Sequence, residues 1–276
     1  MKIVKLLLAV MIVAMTAACS GEKKEAQKIL VLYYSQTGNT KAVAEEIANR
    51  LGADIEEIVA VNPYDNDFQA TIDRCKQEKE QGVLPDINPV KADISKYDVV
   101  FIGYPVWFGT YAPPVTAFLS NVDLSGKKIV PFCTFGSGGL ESSVKDMAAA
   151  QPKAEILPGY GVRAARMEAV PEEIDWFLKA NGFLEGEYTQ LVEFSAQHPV
   201  TEEETAVFDT AVNGYPMLHA KAVTVSTRQI PNGTEYLFVA QDLPREDKPD
   251  MPPAGEIKVY VSVINGKTPV FTRVVR

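Results

Sequence analysis

From Lys28 the chain runs Ile29-Leu30-Val31-Leu32-Tyr33-Tyr34 without a polar interruption. That is the pattern of a strand covered on both faces in a parallel sheet. Further on, the apolar positions move to every fourth residue, Val43, Ile47 and Leu51, with Glu45, Glu46 and Arg50 between them and Gly52 behind. This spacing predicts an amphipathic helix stopped by a glycine. The same exchange of periods recurs. Strand-like runs at 54–61, 98–103, 129–133 and 155–162 are followed by helical runs at 68–81, 115–119, 142–150 and 171–180. Phe68, Ile72 and Cys75 mark one side of the first of these helices, and 83–90 reads as a proline-punctuated loop. Strand and helix in alternation predict an α/β fold, a doubly wound parallel sheet of about five strands in the order 2-1-3-4-5.

After Glu185-Gly186-Glu187 the pattern changes class. Thr201-Glu202-Glu203-Glu204 is a capping box opening a helix to Val212, with Val207, Phe208, Ala211 and Val212 as its apolar side. Alternating runs at 220–230, 234–240, 257–264 and 270–275 are separated by Pro231-Asn232-Gly233, by a proline-rich charged loop at 243–255 and by Asn265-Gly266. The prediction is a small α+β domain, one helix on a four-stranded antiparallel sheet. The chain therefore divides into a leader (1–19), a charged tether (20–27), an α/β domain (28–184) and a second domain (187–276).

The leader begins Met1-Lys2 with Lys5, continues through an apolar run at 6–15 too short to span a bilayer, and ends Thr16-Ala17-Ala18 before Cys19. This is the pattern of an export signal. The small residues before Cys19 resemble the bacterial lipoprotein processing box, which implies cleavage before Cys19, lipid on its thiol and a membrane tether outside the cytoplasm. Leu is usual where Thr16 stands. The alternative is ordinary cleavage that leaves a soluble secreted or periplasmic protein.

The net charge of −9 over 276 residues, without a basic aromatic cluster, excludes nucleic acid as a partner. Cys75 and Cys133 show no spacing for a disulfide or a metal site, and two free thiols are expected. His198 and His219 have no ligand-spaced neighbours.

Candidate chemistry lies in three loops that follow strands. Ser35-Gln36-Thr37-Gly38-Asn39-Thr40 joins the first strand to its helix, where orphan N–H groups and the positive end of the dipole favour an anion. With no Lys or Arg inside it, the loop suits a monophosphate better than a nucleoside triphosphate, whose loop carries a lysine. The second loop, from Pro105-Val106-Trp107-Phe108-Gly109 to Pro114, offers flat surfaces to a planar ring. The third, Thr134-Phe135-Gly136-Ser137-Gly138-Gly139, would let backbone amides approach a ligand edge. In the predicted strand order all three meet at the switch point.

These residues resemble the flavodoxin-like family, in particular members with a Gly-Tyr-Pro-hydrophobe-Trp loop, here Gly103-Tyr104-Pro105-Val106-Trp107. The resemblance covers roughly 27–182 and implies FMN, bound without a covalent bond. Ser35, Gln36, Thr37, Gly38, Asn39 and Thr40 would hold the phosphate. Pro105, Val106, Trp107, Phe108 and Gly109 would flank the isoalloxazine, and Thr134, Gly136, Ser137, Gly138 and Gly139 would meet its edge. The third loop lacks the tyrosine that stacks on the outer ring face in small flavodoxins, leaving Phe135 or Tyr111 as substitutes, and it lacks their acidic residues. The second domain is similar to the cystatin-like fold, but Pro231 stands where protease-inhibiting cystatins carry Val. A docking or structural role is expected instead. The function expected is electron carriage between redox protein partners. The alternatives are an oxidoreductase reducing quinones or similar small acceptors, and a binding module that has lost flavin.

Overall fold

The computed structural model describes residues 27–65, 67–215, 218–244, 253 and 255–276. The leader, Cys19 and most of the tether lie outside the described residues.

The first unit alternates strands and helices: β1 (Ile29–Tyr33), α1 (Asn39–Leu51), β2 (Asp54–Glu57), α2 (Phe68–Gln81), β3 (Val99–Trp107), β4 (Thr110–Tyr111), α3 (Pro113–Asn121), β5 (Lys128–Phe135), α4 (Leu140–Ala150), β6 (Glu155–Ile156), β7 (Tyr160–Arg163) and α5 (Val170–Ala180). The sheet order is β2-β1-β3-β5-β6, with β7 also on β5, and every one of these pairs is parallel. The expected order holds, with its last strand split in two at Leu157–Gly159, where the chain carries Pro158. Leu30, Leu32, Val100, Ile102 and Ile129 face one layer of helices, and Val31, Val99, Phe101, Val130 and Phe132 face the other. Burial on both faces explains why these strands read as continuous apolar runs. At Gly103 a Cβ would stand 2.1 Å from the Phe132 ring, so the side chain of β5 packs directly on the β3 backbone, one strand over from the switch point between β1 and β3.

Two expectations need correction. The segment 83–90 is not simply loop: Ile87 bridges Ala60 antiparallel, extending the edge beyond β2. The aromatic stretch after Gly103 is not a loop either. β3 runs on to Trp107 and turns back as β4, pairing Val106 with Tyr111 and Trp107 with Thr110. The two-residue turn, Phe108 at φ 50° and Gly109 at φ 83°, has positive φ at both positions, as a tight hairpin demands.

The second unit comprises β8 (His198–Pro199), α6 (Glu202–Val212), β9 (Ala220–Ile230), β10 (Gly233–Asp242), β11 (Glu256–Ile264) and β12 (Val270–Val275), in an antiparallel sheet ordered β12-β11-β10-β9-β8. The sheet has five strands rather than four, because His198 and Pro199 pair with Val225 and Thr224. The capping box forms as read, Thr201 and Glu204 each bonding the other's backbone N–H. Phe208 of α6 meets Phe238 of β10 edge-on at 5.1 Å in the centre of this core. Cys75 and Cys133 are both free and buried. Among the described residues no helix is long and apolar enough to cross a membrane.

Candidate functional site

The loops after β1, β3 and β5 leave the carboxyl ends of three neighbouring strands, and a cleft of about 970 Å³ opens between them. A smaller hollow beside β2, lined by Glu56, Glu57 and Lys91 among others, lies on the sheet edge and gathers none of these loops.

In the first loop, α1 starts after Gly38, whose φ of 89° requires the left-handed region, and no side chain caps the helix. The orphan donors of the first turn are therefore left to an anion. The Ser35 Oγ is buried and has no partner among the described residues, an arrangement that suits an oxygen-rich ligand. Thr37 and Gly38 are exposed, and Asn39 is half-buried. Gln36 lines the cleft, but its side-chain bonds go to the protein. Its Oε1 accepts from the Tyr34 hydroxyl at 2.7 Å and its Nε2 donates to the carbonyls of Tyr64 and Asp65 at 3.1 and 2.6 Å, so its side chain fastens the segment after β2. Thr40 is buried with its hydroxyl 2.8 Å from that of Thr134, which joins the start of α1 to the end of β5.

The second wall is the β3–β4 hairpin. Pro105, Val106, Trp107, Phe108 and Gly109 all line the cleft. Trp107 is half-buried, edge-on to Tyr34 at 5.9 Å and to Tyr64 at 5.2 Å, so it belongs to an aromatic cluster as well as to the cleft. Burial pushes both phenols well above the usual tyrosine range, Tyr64 further through its bond to Glu78, so this cluster stays neutral. Phe108 is 66% exposed at the hairpin tip. The tip is tied down by Ser142, whose hydroxyl donates to the Gly109 carbonyl at 2.5 Å.

The third wall is Gly136, Ser137, Gly138 and Gly139. Gly139 has φ 114°, and a Cβ there would lie 2.5 Å from the Val106 side chain, so only glycine lets this loop close on the hairpin. Thr134 is buried against Thr40, not at the cleft surface. Neither substitute for the missing tyrosine reaches the cleft. Phe135 is packed down on Gly161 of β7 and Tyr111 edge-on to Tyr104 at 5.7 Å, both in the core.

Other lining residues were not read from the sequence as part of a site, and Phe68 and Ile72, expected on the apolar side of α2 with Cys75, line the cleft while only Cys75 is buried. Asp65, Phe68, Thr71 and Ile72 come from the segment after β2, and Tyr215, Leu243, Val274, Val275 and Arg276 from the second unit. Phe68 is 80% exposed. An apolar residue opening a helix beside a strand's carboxyl end is a signal that could have drawn attention to it. The contribution of the second unit has no local signal. Among the described residues there is no group of three or more His, Cys, Asp or Glu placed to hold a metal.

Fold and cleft together define a doubly wound α/β protein with a neutral anion cradle, an aromatic wall and a glycine-rich wall at its switch point. The chain belongs to the flavodoxin family: the family model described as Flavodoxin matches residues 28–177. A crystal structure from Bacteroides eggerthii DSM 20697, described as a flavoprotein, is similar with 29% identity over 56% of this chain and 98% of that one, at a TM-score of 0.50. A flavoprotein in complex with FMN from Lactobacillus acidophilus NCFM is 26% identical over 49% of this chain and 93% of its own, at a TM-score of 0.46. A curated relative, NAD(P)H dehydrogenase (quinone) of Gluconacetobacter diazotrophicus, is 31% identical over 96 residues. That match spans 33% of this chain and less than half, 44%, of the relative.

Proposed function

We propose that this chain is an FMN-binding redox protein that passes electrons to and from protein partners. The observation that carries the reading is the meeting, in one cleft, of Gln36 and Thr37 of the first loop, the Trp107 hairpin and the Gly136–Gly139 wall, with the buried, unpartnered Ser35 hydroxyl next to Gln36 in the chain. Ser35, Thr37, Asn39 and the first amides of α1 hold the phosphate. Gln36 contributes its backbone N–H while its side chain braces Tyr64, and Thr40 sets the distance between cradle and β5. Trp107 and Phe108 flank the ring, and the glycine wall meets its polar edge. Bound flavin supplies transfer of one or two electrons at the ring, and no side-chain acid or base is required.

An acidic chain favours a basic partner, and exposed Phe68 and Phe108 give such a partner an apolar landing at the cleft mouth. Direct reduction of a quinone-like acceptor is the second reading. It is favoured by a cleft at the top of the ~300–1,000 Å³ range of small-molecule sites and by the curated relative's name. We further propose cleavage before Cys19 and a lipid tether outside the cytoplasm. The second domain is then a cystatin-like module carried with the flavin domain.

The test is a visible-absorption titration of the chain with FMN and with riboflavin, followed by reoxidation of the reduced protein. Saturable FMN binding with much weaker riboflavin binding is expected. A well-folded chain that binds neither would overturn the reading. Fast reoxidation by a small quinone at any salt concentration would favour the second reading over the carrier.

A further inference from the structure

The glycine wall is held from outside by the second domain. β12 is an edge strand, and its Val274 N–H donates to the Ser137 carbonyl at 2.7 Å. Arg163, at the end of β7, spans both units: its Nε donates to the Gly136 carbonyl and its Nη1 to the Phe271 carbonyl, each at 2.8 Å. The guanidinium also lies over the rings of Tyr215 and Phe271, at 4.9 and 4.3 Å from their centroids. A Cβ on Gly138 would sit 2.2 Å from the Val274 carbonyl oxygen, so loop and strand touch backbone to backbone.

These contacts orient the peptides of the wall. In a trans peptide the N–H points opposite to the C=O it is joined to, and the described chain has no cis bonds. With the Gly136 and Ser137 carbonyls drawn to Arg163 and β12, the N–H groups of Ser137 and Gly138 turn away from those two partners, and both residues line the cleft. Among the described residues neither N–H has a backbone acceptor.

We infer that the second domain is a working part of the flavin site: β12 and Arg163 aim two backbone donors of the third loop at the polar edge of the ring. Arg163 is a positioning residue, because it acts through the loop and does not line the cleft. The inference rests on the FMN reading for the identity of the ligand. Donors fixed on a ring edge that gains negative charge on reduction bind the reduced form more strongly than the oxidised one. Loss of the clamp then weakens binding and makes the bound flavin harder to reduce.

The test uses the full chain and the variants Arg163→Ala, Arg163→Lys and Val274→Pro. Lysine keeps the charge but cannot bridge two carbonyls as a planar fork does. Proline deletes the donor, and its ring, standing where the hydrogen was, also pushes the Ser137 carbonyl off β12. In the wild type, slow hydrogen exchange at the Val274 amide is expected, and exchange as fast as at an open strand edge would overturn the proposal. In Arg163→Ala and Val274→Pro, affinities for FMN and riboflavin should fall by the same factor, about tenfold, with a more negative midpoint potential, and Arg163→Lys should not rescue. Flavin affinity and potential unchanged in folded variants would overturn the proposal while leaving the FMN reading intact. A protected Val274 in a wild type that binds no flavin would overturn the ligand assignment, and with it the aim of the two donors.

Discussion

Ser35 and Phe108 illustrate two ways in which a residue is worse placed for the apoprotein than for a ligand. The Ser35 hydroxyl is buried without a partner. Substitution Ser35→Ala should therefore leave apoprotein stability unchanged or raise it by up to about 1 kcal/mol. FMN affinity should fall several-fold, and that for riboflavin should not change, because only the phosphate meets the cradle. Phe108 combines 66% exposure with φ 50° in a turn that favours Asn before Gly. Relief of a left-handed phenylalanine is worth about 1 kcal/mol, so Phe108→Asn should raise the apoprotein melting temperature. If the ring packs on flavin, the same change weakens FMN and riboflavin alike, by the worth of an aromatic contact, ~1 kcal/mol. Paired thermal melts and flavin titrations check both. Ser35 was legible because a serine at a strand-to-helix junction states its chemistry locally. The side chain of Gln36 was not, since its partners, Tyr64 and Asp65, come close only through the fold.

At the scale of elements, strand interiors were legible and strand ends were not. An unbroken apolar run announces burial on both faces, but nothing in Pro105-Val106-Trp107 announces that β3 continues through it. The hairpin exists because Tyr111 and Thr110 return to pair with Val106 and Trp107. Helix α2 shows the complementary case, a largely polar helix with one buried residue, Cys75. It is attached by Tyr64 donating to Glu78 at 2.5 Å and by Arg74, which bonds Glu78 and lies 3.8 Å over the Tyr64 ring. Burial pushes the Cys75 thiol from its ordinary 9.0 up to about 11. The folded state thus holds this proton after the unfolded chain has released it. Its contribution is complete below pH 9 and is lost as pH rises toward 11, by about 2 kcal/mol. Denaturant titrations from pH 8 to 10.5 should show this fall, and Cys75→Ser should roughly halve it between pH 9 and 10, because burial also raises the Cys133 thiol and its share of the slope remains.

In the whole molecule, two sheets of different class were legible from the change of period near residue 185, yet their contact was not. The Ser137–Val274 bond joins residues far apart in the chain, and each belongs to a segment that looks complete alone. Coupling between the units follows from that contact and can be read without a flavin signal. Both tryptophans, Trp107 and Trp176, lie in the first unit, so their fluorescence reports that unit alone, while far-UV circular dichroism reports both sheets. Saturation with FMN at about 100 times its dissociation constant should stabilise the bound unit by roughly 2.7 kcal/mol. Because β12 and Arg163 tie the wall of the cleft to the second sheet, both signals should move upward together and coincide. In Arg163→Ala the fluorescence transition should still respond to FMN while part of the dichroism transition does not. Two separate transitions already in the wild type would mean that the second unit rides on the first without sharing its stability.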